Sequence, residues 1–190
     1  MNPPRLFLVA PGGVAATQII ACLKAACQAG DVASLLVSAA LAKEVTKPAQ
    51  DLGVAVMVSG EARDAARAGA DGIQVEAGAE AVAAAREQLG KDRFVGAYAG
   101  ASRHFAMEAA EAGADYIAFD QTGASAGGEP IIRWWSDMME IPCVAFTPVE
   151  PAGLDILLPQ KPDFIRPSGA MWQGADDARR IVSALMQRLG

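Results

Sequence analysis

Apolar residues in this chain come in short runs with polar or small residues between them. The runs are "RLFLVA" (5–10), "ASLLVS" (33–38), "VAVMVS" (54–59), "GIQVE" (72–76), "RFVGAYA" (93–99), "YIAFD" (116–120), "PCVAF" (142–146) and "DFIRP" (163–167). Each has strand length and β-branched or aromatic content. Between them lie Ala-rich stretches of helical period. The last is the clearest: Ala178, Ile181, Val182, Leu185, Met186 and Leu189 share one face, with Asp176 and Asp177 at its start, where the helix dipole favours negative charge. Punctuation repeats as well. "AGADG" (68–72) and "AGADY" (112–116) each close a helix with Gly and enter a strand, and "KPDF" (161–164) makes the same move with Pro.

Strand starts recur every 18 to 28 residues, one β/α unit each. Eight units in succession predict a (β/α)8 TIM barrel, as a single compact domain over residues 1–190. A doubly wound open sheet is the competing fold, with "APGGVA" (10–15) as a weak trace of its glycine-rich turn. At 190 residues there is no room for a second domain.

Composition narrows the class. Apolar residues make up 52% and charged residues 20%, which is globular. A net charge of -6 argues against nucleic acid as a partner, though not against a small anion in a locally basic site. No apolar run reaches about 18 residues, so no membrane span is expected. The N-terminal apolar run is too short for a signal peptide, and Cys22, Cys27 and Cys143 show no metal or redox spacing. Reduced thiols in a cytoplasmic protein are the expectation.

The succession "AGADGIQV", "FVGAYA", "AGADYIAF", "IPCVAF" and "PSGAMW" resembles the thiamine-phosphate synthase family, which includes the related thiazole tautomerases. The likeness covers most of the chain from about residue 54 onward. It implies a (β/α)8 barrel of thiamine biosynthesis that binds a thiazole phosphate and, in the synthases, a pyrimidine pyrophosphate with Mg2+. The chain departs from that pattern where the chemistry lies. The Asn-Asp-Arg run after the third strand falls on Ser59, Gly60 and Glu61, and the run after the fourth on Glu76, Ala77 and Ala79. Gly60 and Ala79 therefore stand at the two acidic magnesium positions, and neither can ligate a metal. No metal site is expected. Nothing basic precedes Lys43 after the second strand. The loop after the sixth keeps Thr122 and Ser125 but lacks the family's Lys, and Thr147 and Pro148 occupy the family's Gly-Gly after the seventh.

The thiazole-phosphate side keeps more. Ser168, Gly169 and Ala170 match the family's small residues after the eighth strand, and Arg166 adds a cation there. Strand alternation puts Gln74, Glu76, Tyr98, Asp120 and Arg166 on the inward face near the C-terminal mouth. One reading makes Glu76 and Asp120 an acid/base pair facing an anion held by Arg166 and the Ser168 turn. The other makes Arg166 a structural partner of Glu76 or Asp120. His104, the single histidine, is either a proton shuttle or a surface helix residue with Ser102 as N-cap. The ligand expected is a small phosphorylated metabolite, with a non-catalytic barrel for an anionic metabolite as the alternative. The soft patch Trp134, Trp135, Met138 and Met139 suggests a homodimer surface or barrel packing.

Overall fold

A computed structural model describes residues 3–76, 78–120 and 128–190. Eight parallel strands close into a barrel in the order β1 to β8. They are β1 (Arg5–Val9), β2 (Val32–Ser38), β3 (Ala55–Ser59), β4 (Gly72–Glu76), β5 (Phe94–Gly100), β6 (Tyr116–Phe119), β7 (Cys143–Val149) and β8 (Phe164–Pro167). The helices are α1 (Ala16–Ala29), α2 (Ala39–Gln50), α3 (Ala62–Ala68), α4 (Ala79–Leu89), α5 (Arg103–Glu111), α6 (Ile131–Met138), α7 (Leu154–Leu157) and α8 (Ala175–Leu189). The chain is thus a single (β/α)8 barrel, and the open doubly wound sheet is excluded by the pairing of β1 with β8. Among the described residues no helix is long and apolar enough to cross a membrane. All three cysteines carry free thiols, two of them buried.

Strand alternation divides the apolar residues into two cores. The larger lies between strands and helices and is built from Leu6, Leu8, Leu35, Val56, Ile73, Ile117 and their helical partners. The smaller fills the barrel itself: Phe7, Leu36, Met57, Tyr116, Ala118 and Val144, with Val9, Tyr98, Phe146 and Phe164 packed on it. Gly96 is required by this interior. A Cβ there would lie 2.0 Å from Cζ of Tyr116, so β5 yields its space to the Tyr116 ring. The phenol of Tyr116 then donates to Oε1 of Gln74 at 3.0 Å across the barrel.

The repeated Gly-Ala-Asp punctuation has a structural purpose. Gly69 and Gly113 end their helices with φ of +66° and +97°, in the left-handed region that favours glycine. The aspartates that follow reach sideways. Asp71 accepts the Val56 N–H at 2.7 Å, Asp115 accepts that of Val95 at 2.7 Å, and Asp163 accepts that of Cys143 at 2.8 Å. Each carboxylate thereby fastens the first turn into an even-numbered strand to the start of the odd-numbered strand before it. Between β1 and β2 the equivalent Asp31 instead takes two hydrogen bonds from the Arg5 guanidinium, at 2.7 and 2.8 Å.

Of the soft patch on α6, Trp135 is fully buried, packs on Phe119 and donates Nε1–H to the Ile141 carbonyl at 2.7 Å. Trp134 lies half-buried beneath the Arg103 guanidinium, 4.5 Å from its ring centre. The two indoles therefore serve different surfaces, and Met138 alone stays widely exposed, at 70%.

Candidate functional site

The C-terminal ends of the strands surround a mouth cavity of about 300 Å³. Gln74, Glu76 and Tyr98 line it, as alternation requires, together with Phe146, Ser38 and Ser59. Gln74 is buried and already accepts from Tyr116, whereas Glu76 is exposed at the rim. The register pairs Glu76 with Tyr98 and Tyr98 with Ala118, two residues before Asp120. The Tyr98 phenol therefore stands between the two carboxylates proposed as an acid/base pair. It donates to Asp120 Oδ2, and Thr147 Oγ1 donates to Oδ1 of the same carboxylate at 3.4 Å.

Electrostatics follow this arrangement. The hydrogen bond to Asp120 is the largest cause that pushes the Tyr98 phenol up to about 12. Burial and the charges of Asp120 and Glu76 act the same way, and Arg166 opposes them. Tyr98 is thus a proton donor, not a base, at neutral pH. The guanidinium of Arg166 stacks over Phe146, 4.9 Å from its ring centre, and donates to the Phe146 carbonyl at 3.2 Å. Burial lowers its pKa, an effect that Asp120 and Tyr98 partly offset. Among the described residues it forms no ion pair, so it is not locked to Glu76 or Asp120.

Beyond β8, Ser168 caps a short 3-10 turn, Gly169–Gln173, and its Oγ accepts the Ala170 N–H at 3.4 Å. Gly169 is exposed and Ala170 half-buried, three and four residues after Arg166. His104 is not brought to the mouth. Its ring, 75% exposed, faces Glu108 on the same helix at 3.4 Å, and Ser102 caps that helix through the Phe105 N–H. Thr122 and Ser125 lie outside the described residues.

Phe146 was not singled out in the sequence, yet it positions Arg166 and walls the mouth. Its signal was parity: it lies two residues beyond Val144, on the inward face of β7. Ser38 and Ser59 are register partners at the ends of β2 and β3, where the same rule finds them.

Magnesium does not fit these residues. Gly60 and Ala79 carry no oxygen side chain. The neighbouring Asp64 is engaged by the Glu61 N–H at 3.1 Å. Among the described residues no three His, Cys, Asp or Glu side chains come together.

Fold and mouth define a small (β/α)8 barrel whose strand ends bring Arg166 together with Glu76 and Asp120 around Tyr98. The family model described as thiamine monophosphate synthase matches residues 6–165. A thiamine-phosphate synthase of Erythrobacter litoralis is 38% identical over 145 residues, covering 72% of this chain and 67% of that protein. Another from Rhodospirillum centenum is 34% identical over 188 residues, covering 90% and 91%. The chain belongs to the thiamine monophosphate synthase family. Its fold is also similar to the solved thiamine phosphate pyrophosphorylase of Pyrococcus furiosus, with a TM-score of 0.76 at 19% identity and 97% and 95% coverage.

Proposed function

We propose that the chain acts in thiamine biosynthesis by binding a phosphorylated heterocycle of thiazole-phosphate type at the barrel mouth. The observation that carries this reading is Arg166: a half-buried guanidinium, held over Phe146 and without an ion-pair partner among the described residues, at the end of the strand that leads to Ser168, Gly169 and Ala170. Barrels hold phosphate on the loops after strands seven and eight, where small residues let backbone N–H groups approach. The ring enters the cavity against Tyr98 and Phe146, with Gln74 and Glu76 at its edge.

Transfer from a pyrimidine pyrophosphate is not favoured. It requires cations on the departing pyrophosphate, whereas Gly60 and Ala79 replace the metal carboxylates of the resembling family, and Glu76 and Asp120 add negative charge. Two outcomes follow from this. A tautomerase-like isomerase would use Glu76 as the proton acceptor, since Asp120 is already engaged by Tyr98 and Thr147. A non-catalytic barrel would bind the phosphorylated or other anionic metabolite without turnover.

The test is a thermal-shift titration with thiazole phosphate. Stabilisation is expected in the unaltered protein, and Arg166→Ala should weaken binding on the order of tenfold or more, as loss of a charged hydrogen-bond donor does. Equal shifts for both proteins would remove the anion seat. Incubation with thiazole phosphate and pyrimidine pyrophosphate should form no thiamine phosphate. Proton exchange into the bound thiazole, lost in Glu76→Gln, separates the isomerase from the binding barrel.

A further inference from the structure

The barrel has a second opening at its N-terminal end, unrelated to the mouth. On β2, β3 and β4 the inward residues nearest that end are small: Ser34, Ala55 and Gly72. On β5 and β8 they are Phe94 and Phe164. Side chains that would meet at the axis therefore fall short on one side and leave a pocket of about 240 Å³. Its walls are the rings of Phe7, Tyr116 and Phe164 with the thioether of Met57. Gly72 cannot be enlarged to fill it, since a Cβ would lie 2.2 Å from the Phe94 carbonyl oxygen.

Polarity in this pocket is confined to one place. Ser34 is 9% exposed, lines the pocket and has no side-chain hydrogen-bond partner among the described residues. The rim charges are already spent. Arg5 is held by Asp31, and Asp115 accepts from Arg86 at 2.5 Å and from the Val95 N–H at 2.7 Å. A charged ligand finds no counter-ion here, whereas a flat neutral one finds aromatic walls and a single hydroxyl. The volume exceeds that of a cavity of ~150 Å³ that takes benzene and is below that of drug-sized sites.

We propose that the N-terminal end of the barrel is a second ligand site, for a neutral aromatic molecule of one or two rings bearing one hydroxyl or N–H that reaches Ser34 Oγ. The site is independent of the anion seat at Arg166.

Phenol, indole and benzene serve as probes, followed by the methyl resonances of the methionines in NMR spectra and by thermal shift. Phenol and indole are expected to move the Met57 methyl by ring current and leave exposed Met138 in place. Ser34→Ala should weaken phenol on the order of fivefold and leave benzene unchanged. Ala55→Leu, which fills the pocket, should abolish both. Should Ala55→Leu fail to fold, the Met57 resonance and Ser34→Ala still decide the matter. An unmoved Met57 methyl at millimolar phenol overturns the site, as does phenol binding unchanged in Ser34→Ala. Binding that Arg166→Ala or thiazole phosphate removes places the probe at the mouth and also overturns it.

Discussion

Tyr98 shows how one side chain reports on the whole mouth. It is one of two tyrosines in the chain, and neither should ionise at the ordinary value near 10. Tyr116 is raised first by its burial, Tyr98 first by its hydrogen bond to Asp120. Ultraviolet titration should therefore show no tyrosinate step at the usual pH, and Asp120→Asn should bring one step back down towards it. The sign for stability follows from the raised value. The protonated Tyr98 supports the fold fully below the unfolded pKa, and that support fades as pH rises towards about 12. A normal midpoint for Tyr98 in the unaltered protein would remove its bond to Asp120. Arg166 makes a related point about what a sequence conveys. Its inward direction was readable from alternation with Phe164, but its partner was not. Arg166 stacks on Phe146 of the neighbouring strand, and the offset that pairs Val144 with Phe164 and Ala145 with Ile165 brings the two opposite each other only once β7 and β8 lie side by side.

At the scale of elements, strand positions were legible because each strand is a short apolar run set off from the Ala-rich helical stretches, most of them with Gly, Pro or Asp at an end. The repeat "AGAD" announced where β4 and β6 begin, but not that its aspartate clasps the strand before. Such a contact joins residues 15 to 20 apart, such as Asp71 with Val56 and Asp115 with Val95, and forms only when successive strands pair in parallel. Replacing Asp71, Asp115 or Asp163 by Ala leaves a strand-end N–H without its acceptor. Each should cost about 1–3 kcal/mol in denaturant unfolding, and hydrogen exchange should speed up at Val56, Val95 or Cys143 respectively. Unchanged exchange at the matching amide would deny the clasp. Helix α6 shows the opposite difficulty. Its two adjacent tryptophans and two methionines left core packing and a dimer surface both open, and helical rotation of about 100° per residue sends Trp135 into the core and leaves Trp134 under Arg103.

For the whole molecule, the expected homodimer would have to be built around Met138, because its neighbours are largely used within the chain. A specific dimer needs roughly 800 Å² from each partner. Light scattering tests it directly: if α6 forms the interface, Met138→Glu halves the measured mass at fixed concentration, and an unchanged mass places any association elsewhere. The two ends of the barrel carry different duties. The aspartate clasps sit at the N-terminal end, and the mouth residues sit at the other. The strand-end clasps and the mouth residues are thus different side chains. Gly60, Ala79, Thr147 and Pro148 lie at the mouth end, away from the clasped amides of Val56, Val95 and Cys143, so a change of side chain there need not loosen the barrel.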